Sequence, residues 1–143
     1  LHSHAASLLF DGRVLVSGGN DGLGEVDGSF IYDPAANTWT ATPVPSGRST
    51  ILAQPRFGHT SVALPNGDVV ISGGSQRFGD LTEQIEYFHL TSSIWISSGI
   101  TFGSGQGAVR PRSYHTMTLA NNNKLYALGG SNGAVGGPGT VFY

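Results

Sequence analysis

The chain has 143 residues, among them 22 glycines and 7 prolines, and only 11% of its residues are charged. This composition excludes long surface helices, which need many lysines and glutamates, and is typical of a turn-dense all-β protein. Seven basic against nine acidic residues give a net charge of −2, with no basic surface left to neutralise a nucleic-acid backbone. Cysteine is absent, which excludes disulfides, thiolate metal sites and cysteine nucleophiles.

Apolar stretches are short throughout the chain. None approaches the roughly 20 residues that a membrane-spanning helix needs, so a membrane is not an expected partner. No charged and then apolar leader is visible. The chain starts at Leu1 and not at a methionine, which leaves a leader upstream of it open.

The first unit of the chain contains four short apolar bursts separated by turn residues. The predicted strands are Ala6–Phe10, Val14–Val16, Phe30–Tyr32 and Thr38–Thr42. Asp11-Gly12 has the residue types that take positive φ in a tight hairpin turn, so the first two strands are expected to be antiparallel neighbours. The segment from Asp33 to Asn37 contains a proline and predicts the turn between the third and fourth strands.

The second unit repeats this order, and a third begins near Arg112. The predicted strands of the second unit are Thr60–Leu64, Val69–Ile71, Ile85–Phe88 and Ile94–Ile96, with Asn66-Gly67 at the first turn. The second strands of the first two units, Val14–Ser17 and Val69–Ser72, are apolar without clean alternation, which predicts burial on both faces between stacked sheets. The third unit has its turn at Asn122-Asn123 and reaches only its third strand.

Several markers recur in these units after 55 and then 56 residues. They are His4, His59 and His115, the glycine pairs Gly18-Gly19, Gly73-Gly74 and Gly129-Gly130, and the tyrosines Tyr32, Tyr87 and Tyr143. The tryptophans Trp39 and Trp95 of the first two units are 56 residues apart. The single extra residue is expected between Tyr87 and Trp95. Such a period indicates a repeat architecture in which each unit needs its neighbours to bury a core.

The stretch from Val14 to Gly19, followed by Tyr32-Asp33-Pro34 and Asn37-Thr38-Trp39, closely resembles a kelch repeat of the galactose oxidase-like type. The resemblance implies an all-β, kelch-type β-propeller, here partial, with about three four-stranded antiparallel blades around a central channel. The blades of this one domain are expected at about 1–43, 56–98 and 112–143, the third incomplete. Because propellers typically have about four to eight blades, we expect a fragment of a longer propeller, with association of copies into a ring as the alternative.

Two arginines, Arg56 and Arg112, stand three residues before a repeated histidine. In an up-and-down blade, the segment before the first strand and the loop after the second strand emerge on one face, so these arginines are expected beside the residues that follow the glycine pairs. Those residues are Asn20, Ser75, Gln76, Arg77, Ser131 and Asn132. In the kelch proteins that this chain resembles, such residues bind acidic peptides, and a guanidinium suits a carboxylate. The alternative is that each arginine binds backbone carbonyls between adjacent blades.

The histidines raise a metal hypothesis, because His2 and His4 alternate as ligands of copper or zinc can. Recurrence at an equivalent place in every unit indicates turn and packing roles instead. The acids of the longer loops lack the ordered oxygen spacing of a calcium-binding loop. We therefore expect no metal, no cofactor and no catalytic residue within this chain.

Two classes of function fit these features. The first is a non-catalytic platform that binds a protein segment or a glycan at the channel mouth and contacts the remaining blades or another copy. The second is the scaffold of a galactose oxidase-like or sialic acid mutarotase-like enzyme whose catalytic residues lie outside this chain, since the cysteine of the oxidase radical site is absent. Low charge and abundant serine and threonine favour an extracellular or periplasmic setting without fixing the compartment.

Overall fold

The computed structural model describes residues 1–82, 84–101, 111–131 and 139–142 and arranges them in three antiparallel sheets. The first sheet consists, in spatial order, of β1 (Ala5–Leu8), β2 (Val14–Ser17), β3 (Ser29–Asp33) and β4 (Thr38–Ala41). The second consists of β5 (Thr60–Ala63), β6 (Val69–Ser72), β7 (Gln84–His89) and β8 (Ile94–Thr101). The third consists of β9 (Thr116–Leu119), β10 (Lys124–Leu128) and β11 (Gly139–Phe142).

Helical structure in these described ranges is confined to a single 3₁₀ turn, Arg77–Gly79. No helix among them has the length and apolar character to cross a membrane. The prediction of an all-β, kelch-type partial propeller with an incomplete third blade is therefore confirmed. The outer limits of the three blades stay a prediction.

The hairpin turns between the first and second strands of each blade contain one left-handed residue. Gly12, Gly67 and Asn123 have φ values of +86°, +92° and +60°, and the N–H of each donates to the carbonyl three residues earlier. The residues before the two glycines, Asp11 and Asn66, do not take positive φ. The expectation of two positive-φ residues per turn is therefore wrong, because the loop is one residue longer and needs a left-handed residue only at its end.

The hydrophobic core lies between the sheets. In the first interface, Leu9, Leu15, Ile31 and Leu52 pack against Val69, Ile71, Phe88 and Trp95. In the second, Leu64, Val70 and Ile85 pack against Leu125 and Ala127. Since apolar burial contributes about 25 cal/mol per Å² removed from water, the blades are stabilised mainly by stacking on one another.

The central strand β6 is buried on both faces, as predicted. Val69, Val70 and Ile71 are all 0% exposed, because one face of β6 meets the first blade and the other meets the third. The equivalent strand β2 differs. Its Leu15 is buried, but Val14 is only half-buried, since no sheet of the described residues covers that face.

The strand register corrects the place of the extra residue in the second unit. Tyr32 lies opposite Trp39 in the first sheet, with ring centroids 4.9 Å apart. In the second sheet Phe88, and not Tyr87, lies opposite Trp95, at 5.4 Å. A shift of one residue moves a side chain to the other face of a strand, so Tyr87 packs toward the third blade instead. The extra residue therefore precedes β7.

Candidate binding face

The three sheets present the same end, the glycine face, where the second strands run into the glycine pairs. It consists of the leading segments 1–4, 56–59 and 112–115 and the post-glycine segments 20–28, 75–82 and 131. Each leading segment forms two reciprocal backbone hydrogen bonds of 2.8–3.0 Å with its post-glycine segment. The pairs are His2 with Asn20, Phe57 with Ser75, and Ser113 with Ser131. The two kinds of segment thus lie together, as their places in the repeat predict.

The glycine pairs allow the next blade to approach. A Cβ atom on Gly18 would lie 2.5 Å from the carbonyl oxygen of Arg56 and 2.7 Å from Cε1 of His59. A Cβ atom on Gly73 would lie 2.6 Å from Cε1 of His115. Both glycines also take positive φ, at +57° and +66°. Any side chain at either place would therefore strain the backbone and push two blades apart.

The second and third repeated histidines connect neighbouring blades. Nε2 of His59 lies 3.0 Å from Oγ of Ser17, while Nε2 of His115 lies 3.0 Å from Oγ1 of Thr60 and 3.3 Å from Oγ of Ser72. Burial lowers the pKa of His59 to about 3 and that of His115 to about 4, so both rings are neutral at neutral pH. Their observed contacts are those of packing residues.

The first repeated histidine, His4, is exposed. A Cβ atom on Gly19 would lie 3.1 Å from Cβ of His4. The same close approach occurs in the second blade, between Gly74 and Cβ of His59. Across the part of the chain that the structure describes, no group of three or more potential metal ligands occurs.

Arg56 is fully buried at the glycine face, with 0% of its side chain exposed. Its guanidinium donates to the carbonyls of Gln54, Gly73 and Gln84 at 2.9–3.2 Å and to Oε1 of Glu86 at 2.6 Å. Burial lowers the pKa of Arg56 to about 10, while the charge of Glu86 opposes this shift. The guanidinium is therefore protonated at neutral pH and bound within the second blade.

Arg112 repeats this arrangement in the third blade. It is 2% exposed, and its Nη1 donates to the carbonyl of Gly129 at 2.9 Å. The sheet ladder ends at the glycine pair, and a buried carbonyl there needs another donor. The guanidinium groups of Arg56 and Arg112 thus donate to carbonyls, as in the alternative interpretation, and the carbonyls of Gly73, Gln84 and Gly129 belong to the arginine's own blade.

Glu86 is a buried carboxylate that sequence analysis did not single out. Its Oε2 accepts the N–H of Ala53 at 2.8 Å and lies 3.4 Å from Nη1 of Arg48, while Oε1 binds Arg56. It thereby fastens the linker between the first and second blades to β7. Strand pairing puts Phe30 at the equivalent place in the first blade, so an acid at an otherwise apolar strand position was the available signal.

A backbone ladder crosses the leading segments at Ser3, Gly58 and Tyr114, the residues just before the histidines. All three are left-handed, with φ of +55°, +64° and +55°. The N–H of Gly58 donates to the carbonyl of Ser3 at 2.8 Å, and the N–H of Tyr114 donates to that of Gly58 at 2.7 Å. The sequence gives no signal for this ladder, because serine, glycine and tyrosine share no property that repeats.

The first post-glycine loop folds on itself. Oδ1 of Asn20 accepts the N–H of Gly22 at 2.8 Å, and Oδ1 of Asp21 accepts those of Leu23 and Gly24 at 2.8 and 3.1 Å. The bond from Leu23, followed by that from Gly24, lowers the pKa of Asp21. Both side chains are therefore engaged by the backbone of their own loop.

The other predicted site residues differ in their solvent exposure. Ser75 is buried and Gln76 is half-buried, whereas Arg77 and Ser131 are exposed. The N–H of Gln76 donates to the carbonyl of Asp80 at 2.7 Å and precedes the 3₁₀ turn. Asn132 and the marker Tyr143 lie outside the described residues.

Antiparallel sheets that stack face to face, with a glycine pair at the end of each second strand, define a segment of a kelch-type β-propeller. Comparison with known proteins leads to the same class, since the chain is similar to kelch domain-containing proteins. No family model matches the chain.

Individual relatives match about 70% of the chain at low identity. Kelch domain-containing protein 1 of Mus musculus is 28% identical over 102 residues, which are 71% of this chain and 23% of the relative. The Homo sapiens protein of that name is 28% identical over 100 residues, 70% of this chain and 23% of the relative. The tRNA wybutosine-synthesizing protein 4 of Rattus norvegicus is 33% identical over 110 residues, 73% of this chain and 16% of the relative. The chain thus spans less than a quarter of each relative.

Proposed function

We propose that this chain is part of a non-catalytic kelch-propeller platform that binds a protein segment on its glycine face. The observation that carries the proposal is the reciprocal pairing of leading and post-glycine segments in all three blades. A repeated backbone frame holds side chains that differ from blade to blade, and variable residues on a rigid scaffold are where binding function usually resides.

The charges of the glycine face bear on the kind of partner. Arg56 is bound by Glu86 and by carbonyls, and Arg112 by the carbonyl of Gly129. Recognition of an acidic peptide needs guanidinium groups that reach the ligand, and these two are internal. Arg77 is the exposed arginine among the described residues of this face, so the proposal favours a partner segment of low charge over a strongly acidic one. The enzyme alternative gains no support from the described residues and is not carried further.

The test is a selection of displayed random dodecapeptides on the protein, followed by titration calorimetry with the enriched peptides. The double variant Gln76→Ala/Arg77→Ala changes the glycine face. The matched control Thr91→Ala/Ser92→Ala changes two exposed residues of the β7–β8 turn at the opposite end.

We expect the glycine-face variant to weaken binding about fivefold or more, and the control to leave it within about twofold, as for residues outside an interface. Failure to enrich any peptide, or equal effects of the two double variants, would count against a peptide-binding glycine face.

A further inference from the structure

Tyr114 is a large aromatic residue held in a backbone conformation that such residues avoid. Its φ of +55° is left-handed, which costs roughly 1–2 kcal/mol for a residue with a Cβ. Strain of this kind persists where the surroundings enforce it and is concentrated at functional sites. The equivalent place in the second blade is Gly58, for which the same conformation carries no such cost.

The ring of Tyr114 packs against the second blade. A Cβ on Gly58 would lie 3.0–3.2 Å from three carbon atoms of the ring, so the ring rests where a side chain at position 58 would otherwise project. The ring of Phe57 approaches it at 6.4 Å between centroids and 61° between planes. Tyr114 is nevertheless 61% exposed. The two rings thus form a fixed apolar notch that opens to solvent.

The residues that form this notch are neutral. Ser3, Phe57 and Tyr114 carry no charge, and Arg56 and Arg112 are internal, while Arg77 is the exposed arginine among the described residues of the glycine face. The side chains of Asn20 and Asp21 in the first post-glycine loop already bind the backbone of their own loop. A sugar ring stacked on tyrosine needs several unoccupied hydrogen-bonding groups around it, whereas a proline ring needs apolar faces and a donor for the neighbouring carbonyl.

We propose that Tyr114 and Phe57 form the anchor subsite of the glycine face, and that it takes a neutral, proline-containing segment of a partner protein. The pyrrolidine ring packs on the exposed ring of Tyr114 beside the edge of Phe57, and the Tyr114 hydroxyl donates to a peptide carbonyl. The inference rests on the proposed binding function and specifies the chemical class of the partner.

The variant Tyr114→Gly tests this directly, since Gly58 shows that glycine fits the same ladder position. We expect its melting temperature to equal or exceed that of the parent chain, because the backbone strain is removed. Tyr114→Phe keeps the ring and removes the hydroxyl. Phe10→Ala is the matched control, an equally exposed aromatic at the opposite end of the first blade.

The dodecapeptide selection is run in parallel on the parent chain and on Tyr114→Gly, with an array of neutral oligosaccharides as a separate arm. We expect the parent chain to enrich neutral, proline-containing peptides, whose Kd rises tenfold or more with Tyr114→Gly and less than about threefold with Phe10→Ala. An intermediate loss with Tyr114→Phe supports the hydroxyl contact.

Other outcomes separate this inference from the proposed function. If peptides bind and Gln76→Ala/Arg77→Ala weakens them while Tyr114→Gly does not, the platform stands and the anchor is refuted. Enrichment of acidic peptides, or oligosaccharide binding that depends on Tyr114, also refutes the proline-containing ligand. If neither peptide nor oligosaccharide binds, both proposals fall.

Discussion

The contrast between Gly73 and Gly129 isolates the contact that joins two blades. Both glycines are the first of their pair and both are left-handed, with φ of +66° and +72°. A Cβ on Gly73 would meet the carbonyl of Arg112 and lie 2.6 Å from Cε1 of His115, whereas a Cβ on Gly129 would meet no atom of the described residues within 4 Å. Alanine at either place therefore shares the backbone cost, and only Gly73→Ala also forces blades apart.

The expected losses of stability follow from the backbone cost and from the cost of separating the blades. Positive φ costs alanine about 1 kcal/mol at each position, and overpacking of a closed interface adds about 1–3 kcal/mol. Gly129→Ala should thus lower the free energy of unfolding by about 1 kcal/mol, and Gly73→Ala by about 3 kcal/mol. For a chain of this size, the ~2 kcal/mol difference corresponds to roughly 6 °C in melting temperature.

Urea denaturation of the two variants and the parent, monitored by circular dichroism, measures this difference. The signal follows the strands of all three sheets, including the second and third, which meet at Gly73. Equal losses of stability in Gly73→Ala and Gly129→Ala would refute the argument that close approach of the next blade, and not φ alone, requires glycine.

Three further predictions concern the buried groups. His59 and His115 have pKa values of about 3 and 4 in the folded chain and about 6.5 when unfolded; the unfolded chain therefore binds more protons below pH 6.5, and stability falls on acidification, by about 2 kcal/mol per histidine at pH 5. Urea midpoints at pH 7.5 and 5.0 should differ accordingly, and His59→Gln should remove about half of the difference. Trp95→Ala should cost about 3–5 kcal/mol because the ring is buried, and Trp39→Ala below about 1 kcal/mol because it is 60% exposed; equal thermal shifts would contradict the interface described. Glu86→Gln leaves the Arg56 guanidinium buried without a counter-charge and should cost about 3–5 kcal/mol in thermal or urea unfolding; a neutral effect would show that the ion pair is dispensable.

The strands and the stacking of the blades were predictable because local signals agree with the tertiary arrangement. Gly-containing hairpin turns bracket apolar bursts, and the fully apolar stretch of β6 indicated a strand covered on both faces. The register of the strands was harder to predict than their positions. A tyrosine at almost the right spacing drew attention to Tyr87, whereas the ladder selects Phe88 as the equivalent of Tyr32.

The candidate site was only partly predictable, since a residue type that binds ligands when it is exposed has a structural role when it is buried. An arginine in a loop suggests a ligand, but Arg56 has its charge balanced by Glu86, whose place in the repeat belongs to an apolar side chain. That pairing joins residues from different parts of the blade and has no local signature. The left-handed ladder is set by backbone hydrogen bonds and likewise leaves no trace in residue identity.

The ladder also limits how this surface can diversify. The backbone hydrogen bonds of the ladder at Ser3, Gly58 and Tyr114 do not depend on the side chains, yet the ring at position 114 occupies the space above position 58. A larger residue at 58 requires a smaller or reoriented one at 114. New specificity should therefore arise by correlated substitutions in adjacent repeats, and libraries that vary both positions together will retain far more folded members than those that vary one.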